Sequence, residues 1–222
     1  MGIRNLNEDP DLGGAGFRNA ATADLVGTID TGDGNDIIIG IAKRGGGIAV
    51  TFGSTINTGD GNDTITGTAT HFAIKTDNLG TIDTGNGNDI ITGIASYSFI
   101  NFGTINTGDG EDSIISQGTL INYGGVFLGD GNDLITAHKD LSYQALENFN
   151  PIETGDGNDI ITSTGVIYNE GVINTGNSDD SIIVDGGVDS GANEYDIDNN
   201  GVQLIWVMVT TLSLLMKAFC QD

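Results

Sequence analysis

One six-residue phrase, Thr31-Gly32-Asp33-Gly34-Asn35-Asp36, is written seven times in this 222-residue chain, and that recurrence narrows the folds open to it. It returns unchanged at Thr58–Asp63 and Thr154–Asp159. Near-copies stand at Thr84–Asp89 (TGNGND), Thr107–Asp112 (TGDGED), Leu128–Asp133 (LGDGND) and Thr175–Asp180 (TGNSDD). Successive copies begin 27, 26, 23, 21, 26 and 21 residues apart. Repetition at this spacing marks a stacked solenoid, since a single unit is too small to bury a core alone.

The unit extends beyond the hexad. Two residues before it lies an aliphatic (Ile29, Ile56, Ile82, Ile105, Val126, Ile152, Ile173), and two residues after its last Asp lies another (Ile38, Ile65, Ile91, Ile114, Ile135, Ile161, Ile182). A glycine usually precedes the first aliphatic by two, often with an Asn two residues earlier (Asn78, Asn101, Asn122, Asn169), so the unit reads N-x-G-x-I-x-T-G-D-G-N-D-x-I-x-G. Apolar and polar residues alternating on both flanks give short strands with one inward face. Between them, Gly32 and Gly34 can take positive φ, and Asn and Asp tolerate it best among the rest, as a tight turn requires. Paired glycines in six of the seven units, with no 3.6-residue stripe, exclude helix. The expected fold is all-β: a right-handed parallel β-helix or β-roll solenoid of about seven coils, each 21–27 residues long. The repeats place the solenoid at residues 27–202, after an N-terminal segment (1–26) that ends in an incomplete first coil. An apolar tail (203–222) follows. Ile48, Val50, Phe52, Phe72, Ile74, Phe99, Leu120, Tyr123 and Phe149, from the segments between hexads, are expected to complete the core.

Stacking raises an electrostatic problem. Strands of a parallel ladder lie ~4.8 Å apart, and equivalent residues of successive coils inherit that spacing. The last hexad position is Asp in every unit (Asp36, Asp63, Asp89, Asp112, Asp133, Asp159, Asp180), and the third adds Asp33, Asp60, Asp109, Asp130 and Asp156. Carboxylates ~5 Å apart repel by roughly 0.8 kcal/mol in bulk water and ~3 kcal/mol at an effective dielectric near 20. Summed along two columns this rivals the net stability of a domain. The chain has only seven Lys and Arg, none inside a hexad, so a bound cation is the economical remedy. The ligands on offer are carboxylates, amides and turn carbonyls, an all-oxygen set that suits Ca²⁺ better than Mg²⁺.

With the residues that follow it, the hexad resembles the haemolysin-type calcium-binding (RTX) nonapeptide, G-G-x-G-x-D-x-U-x. Thr31-Gly32-Asp33-Gly34-Asn35-Asp36-Ile37-Ile38-Ile39 matches at the second Gly, fourth Gly, sixth Asp and eighth aliphatic, and the resemblance covers all seven units, roughly residues 25–185. It implies calcium held between stacked turns on one edge of a β-roll, by the seven sixth-position Asp and by turn carbonyls. Those carbonyls fall here among Gly32, Gly34, Gly59, Gly61, Gly85, Gly87, Gly108, Gly110, Gly129, Gly131, Gly155 and Gly157. Two departures matter. The family's first Gly is Thr or Leu here, and there is one nonapeptide per coil instead of a tandem run, which implies one metal edge and not two. In the seventh unit Ser178 replaces the fourth Gly, making that site the least secure.

Composition sets the remaining bounds. A net charge of −24 and a pI near 4.1 disfavour nucleic acid and anionic membrane surfaces as partners. The single cysteine, Cys220, excludes an intramolecular disulfide. No charged-then-apolar leader is visible in residues 1–26, so export, if it occurs, uses another signal, or the segment belongs to a longer chain. Asp196-x-Asp198-x-Asn200-Gly201 opens like an EF-hand loop but has Val207 at its twelfth position. Asn199–Val202 is read instead as the strand of an abandoned eighth coil. Leu204–Leu215 is apolar but too short to span a bilayer, which needs ~20 residues. It is left as an end cap, a truncation, or a segment meant for a partner. His71 and His138, without partner ligands, are expected at the surface.

The leading expectation is a calcium-binding structural or adhesive repeat module of a secreted or cell-surface bacterial protein. Calcium would fold it, and its partner would be a cell-surface or matrix polysaccharide or another protein. No catalytic motif is found. Two alternatives stay open: a polysaccharide lyase- or epimerase-like β-helix enzyme using Lys43, Arg44 or Lys75 beside an acidic groove, and a metal-free β-helix fragment of a larger adhesin.

Overall fold

Each repeat winds into one turn of a three-sided prism. The computed structural model describes residues 27–42, 46–139 and 144–185. It also describes the strands Asn5–Asp9, Gly14–Asn19, Asp24–Leu25, Val188–Asp189, Ile197–Asp198 and Gln203–Trp206. Among the described residues there are three β-sheets and no helix.

Every coil visits the sheets in one order. A short strand such as Thr55–Asn57 lies in the third sheet and the hexad turns the corner. A strand such as Thr64–Thr68 then runs in the first sheet, and after another corner one such as Phe72–Thr76 runs in the second. Strands of successive coils pair in parallel, apart from Asn5–Asp9, which runs antiparallel to Gly14–Asn19.

Register is what the repeat buries its core with. Ile38, Ile65, Ile91, Ile114, Ile135, Ile161 and Ile182 stand over one another in the first sheet. Ile29, Ile56, Ile82, Ile105, Val126, Ile152 and Ile173 do so in the third. All are buried except Ile29, which packs against the core at the first described rung. The second sheet closes the prism with Ile48, Val50, Ile74, Phe99, Leu120, Leu146 and Ile167.

Four expected core residues lie elsewhere. Phe52 is 70% exposed and Tyr123 41%, while Phe72 and Phe149 are half-buried. Phe52, Tyr123 and Phe149 fall on the corner between the second and third sheets, where the chain bends around the core instead of facing it. That corner also absorbs two residues of the variation in coil length. It takes three residues between Val50 and Ser54 and between Thr76 and Gly80, but one between Asn101 and Gly103 and between Asn122 and Gly124.

At the far end, Ile197 pairs with Ile173 and Leu204 with Ile182, so an eighth rung is begun. Its third-sheet strand is Ile197–Asp198, and the Asn199–Val202 segment expected to supply it lies between strands, outside the described residues. Gln203–Trp206, where the apolar tail begins, is a strand on that rung. Lys43 and Arg44 and residues 207–222 lie outside the described residues.

Candidate metal centre

The hexad corner sorts its side chains by parity. In the second copy, Thr58 and Asp63 are buried while Asp60 and Asn62 are exposed. Asp63 precedes the core residue Ile65 by two, and residues two apart on a strand share a face, so the carboxylate is carried inward with the isoleucine. All seven sixth-position aspartates are 0–2% exposed.

They form one column. The backbone N–H of each donates to Oδ1 of the Asp one coil further on: Asp36 to Asp63, Asp63 to Asp89, Asp89 to Asp112, Asp112 to Asp133, Asp133 to Asp159 and Asp159 to Asp180, at 2.7–2.9 Å. The second oxygen is less well served. Oδ2 of Asp63, Asp89, Asp112, Asp133 and Asp180 is buried without a hydrogen bond that meets ordinary geometry.

The first-position threonine of the same hexad stands beside it. The Thr58, Thr84 and Thr107 hydroxyls donate across to the carbonyls of Thr84, Thr107 and Leu128. Thr154, by contrast, turns its hydroxyl onto Oδ2 of Asp159. The threonine proton thus has two outlets, the next coil or its own aspartate, and serves one at a time. Looser contacts from Thr58, Thr84 and Thr107 pull their aspartates' pKa values down, but less than burial pushes them up.

Burial dominates the electrostatics. It pushes Asp89 and Asp133 up to about 7 and Asp112 to about 6, and also raises Asp63 and Asp159. Neighbouring carboxylates add repulsion, as Asp112 and Asp63 do at Asp89.

The third-position acids form a separate, outer column. Asp33, Asp60, Asp109, Asp130 and Asp156 are joined there by Asn86 and Asn177, and each but Asn177, the last, accepts the N–H of the next coil's equivalent at 3.2–3.4 Å. Beside it Asn35, Asn62, Asn88, Asn132 and Asn158 accept in the same way at 2.8–3.0 Å. The expected site residues are therefore gathered into stacked columns, but the two sets of carboxylates lie on opposite sides of the turn.

The glycines explain the closeness of the stack. Gly108 has φ +80°, and a Cβ there would come within 1.9 Å of the Gly85 carbonyl oxygen. The glycine carbonyls on Gly32, Gly34, Gly59, Gly61, Gly85, Gly87, Gly108, Gly110, Gly129, Gly131 and Gly155 point along the stack, at the equivalent residue of the next coil; the equivalent of Gly157 in the next coil is Ser178. Ser178, in place of a glycine, is held at φ 113°, and the Gly157 N–H to Asn177 carbonyl bond beside it is 3.1 Å, against 2.7–2.9 Å elsewhere in the column.

The donor set fits a hard cation in part. The inner column offers buried, under-used carboxylate oxygens and threonine oxygens. Among the described residues no three Asp, Glu, His or Cys side chains converge on one point. An ion there would be shared by neighbouring coils, with neutral oxygens completing its shell.

The opposite corner holds features that the repeat pattern revealed poorly. Asn101, Asn122, Asn148 and Asn169 are buried and stacked, the first three each donating from Nδ2 to the next Oδ1 at 2.8–2.9 Å; the Thr76 hydroxyl donates to Asn101 at the near end and Asn169 donates to the Gly171 carbonyl at the far end. Asn78, which the N-x-G signature suggested, is instead exposed on the longer corner. Lys75, one of the basic residues an enzymatic groove would use, pairs with Asp77 at 2.6 Å. His71 is exposed and stacked on Tyr97, and His138 is half-buried. The chain matches no family model, no curated protein and no solved structure.

Proposed function

We propose that this solenoid is a calcium-stabilised structural module of a secreted or cell-surface bacterial protein, of the adhesive kind, with the inner aspartate column as its metal-binding spine. The observation that carries this reading is the row of buried carboxylates whose second oxygens lack good partners. Keeping Asp89, Asp112 and Asp133 charged above pH 7 costs on the order of 10 kcal/mol from their raised pKa values. That is as large as the net stability of a typical domain, ~5–15 kcal/mol. A neutralising species would relieve that cost, and the oxygen-only surroundings suit calcium.

The structure also supports a second reading, in which protons neutralise the column and no metal binds. Oδ1 is already satisfied by a backbone N–H in six of the seven, and Thr154 shows how a hydroxyl can serve Oδ2. Equilibrium dialysis against ⁴⁵Ca²⁺ at pH 8 separates the two. Charge balance along seven carboxylates calls for about three to four ions per chain, bound in the ~0.1–1 mM range typical of extracellular modules. No uptake at 10 mM calcium would leave the proton reading standing alone.

A further inference from the structure

On the outside of the asparagine-ladder corner runs a stack of aromatic rings. Phe102 lies on Tyr123 with centroids 5.0 Å apart and planes within 7°, and Tyr123 on Phe149 at 4.5 Å and 9°. Each follows a ladder asparagine by one residue (Asn101, Asn122, Asn148), so the buried amide chain sets the rings one rung apart. Tyr123 has both faces covered. Phe102 ends the stack, and its other face looks onto the place where the corner changes from one residue to three.

That change of length opens a cavity of about 390 Å³, lined by Phe52, Lys75, Asp77, Asn78 and Phe102. It is a shallow notch, open to solvent. Phe52 belongs to the second rung before that of Phe102, which separates their backbones by ~9.6 Å. Both side chains border the notch and give it apolar walls. The polar rim comes from the intervening coil: the Lys75 ammonium, 5.9 Å from the Phe102 centroid and 2.6 Å from Asp77 Oδ1, and the exposed Asn78 amide.

The chemistry selects a ligand class. An anion is disfavoured, because Lys75 is already matched by Asp77 and the chain carries −24. A cation would be repelled by the Lys75 ammonium, which lies 5.9 Å from the Phe102 centroid. A wholly apolar molecule would strip water from three polar groups without replacing it. A neutral ring with an apolar C–H face and a rim of hydroxyls satisfies both kinds of wall. Each hydroxyl can donate to the carboxylate and accept from the ammonium or amide.

We propose that the notch between Phe52 and Phe102 binds one pyranose unit of a neutral glycan. This deepens the adhesive reading and rests on it for its biological sense, while ligand binding itself requires no calcium. The test is saturation-transfer NMR on the full chain with neutral trisaccharides of glucose, galactose, mannose or N-acetylglucosamine, and with a galacturonate trisaccharide as the charged comparison. Each is run in calcium and again in EGTA at pH 6, with circular dichroism confirming the fold.

At least one neutral trisaccharide should bind with Kd near ~1 mM, a single-subsite affinity. Phe102→Ala and Asp77→Ala should each weaken it tenfold or more, while His71→Ala, at another corner, should leave it unchanged. Should Phe102→Ala fail to fold, Asp77→Ala decides, since that side chain lies on the surface loop. Absence of binding by every neutral trisaccharide, binding by the uronate alone, or binding indifferent to Asp77→Ala would overturn the assignment. A calcium-independent fold that still binds sugar would remove the metal reading and leave this one intact.

Discussion

At Asp112 the tension in the fold is seen in one side chain. Its Oδ1 receives the Asp89 N–H at 2.8 Å, its Oδ2 lacks a good donor, and burial lifts its pKa to about 6. Asp112→Asn keeps the first acceptor, and the new amide can donate to the Thr107 hydroxyl oxygen, whose own proton goes to the Leu128 carbonyl. Without calcium at pH 8 the variant should be more stable than the parent by about 2–3 kcal/mol, read from urea midpoints. With calcium it should bind fewer ions, so the gain should shrink or reverse. Gly108 offers a contrasting case. Its positive φ and the Gly85 carbonyl oxygen 1.9 Å from a notional Cβ leave no room for a methyl group. Gly108→Ala should cost upwards of ~2 kcal/mol, seen as a lower urea midpoint in either buffer, because the defect is steric.

Among the elements, the columns differ in what each asks of its members. The asparagine ladder is neutral and self-satisfying: each amide gives to one neighbour and takes from the other. Truncating a middle member, Asn122→Ala, strands the Asn101 donor and the Asn148 environment together and should destabilise by about 2–4 kcal/mol. Amide hydrogen exchange should show the loss concentrated in the second-sheet strands on either side. The aspartate ladder has the same pitch but a carboxyl group on every rung.

How much of this could be read in the sequence follows from register. The isoleucine columns and the turn stack were legible because their spacing from the hexad is fixed, with the same offset in every coil. The inward aim of the sixth-position Asp was also encoded, by its two-residue offset from a core isoleucine. The corner beyond the second sheet was not. Its length drops from three residues to one after the Thr76 coil, Thr76 takes the place of an asparagine, and Asn150 stands after Asn148 where the neighbouring coils have a glycine. Phe52, Tyr123 and Phe149 consequently read as core, when corner geometry places them outside. The notch at Phe102 arises only from the mismatch between coils, which no single repeat displays.

Over the whole molecule these local demands add up to a dependence on pH and on divalent ions. Asp89, Asp112 and Asp133 have folded pKa values raised above the 3.8 of an ordinary aspartate, so the folded chain holds protons that the unfolded chain has released. Stability without metal should therefore be highest below about pH 4 as far as these groups are concerned, and fall as pH rises from there through about 7. This is the reverse of the usual salt-bridged carboxylate. Guanidinium midpoints in EGTA from pH 4 to pH 8 should decline through that window, and calcium should flatten the decline because its binding strengthens as the carboxyls ionise.

The most direct test of the spine is the melting temperature at pH 8 in EGTA, in a few millimolar magnesium and in a few millimolar calcium. If calcium closes the buried carboxylate column, its presence should raise the transition by ~10 °C or more, with magnesium giving much less. A transition that stays within a degree or two in all three buffers would contradict the account.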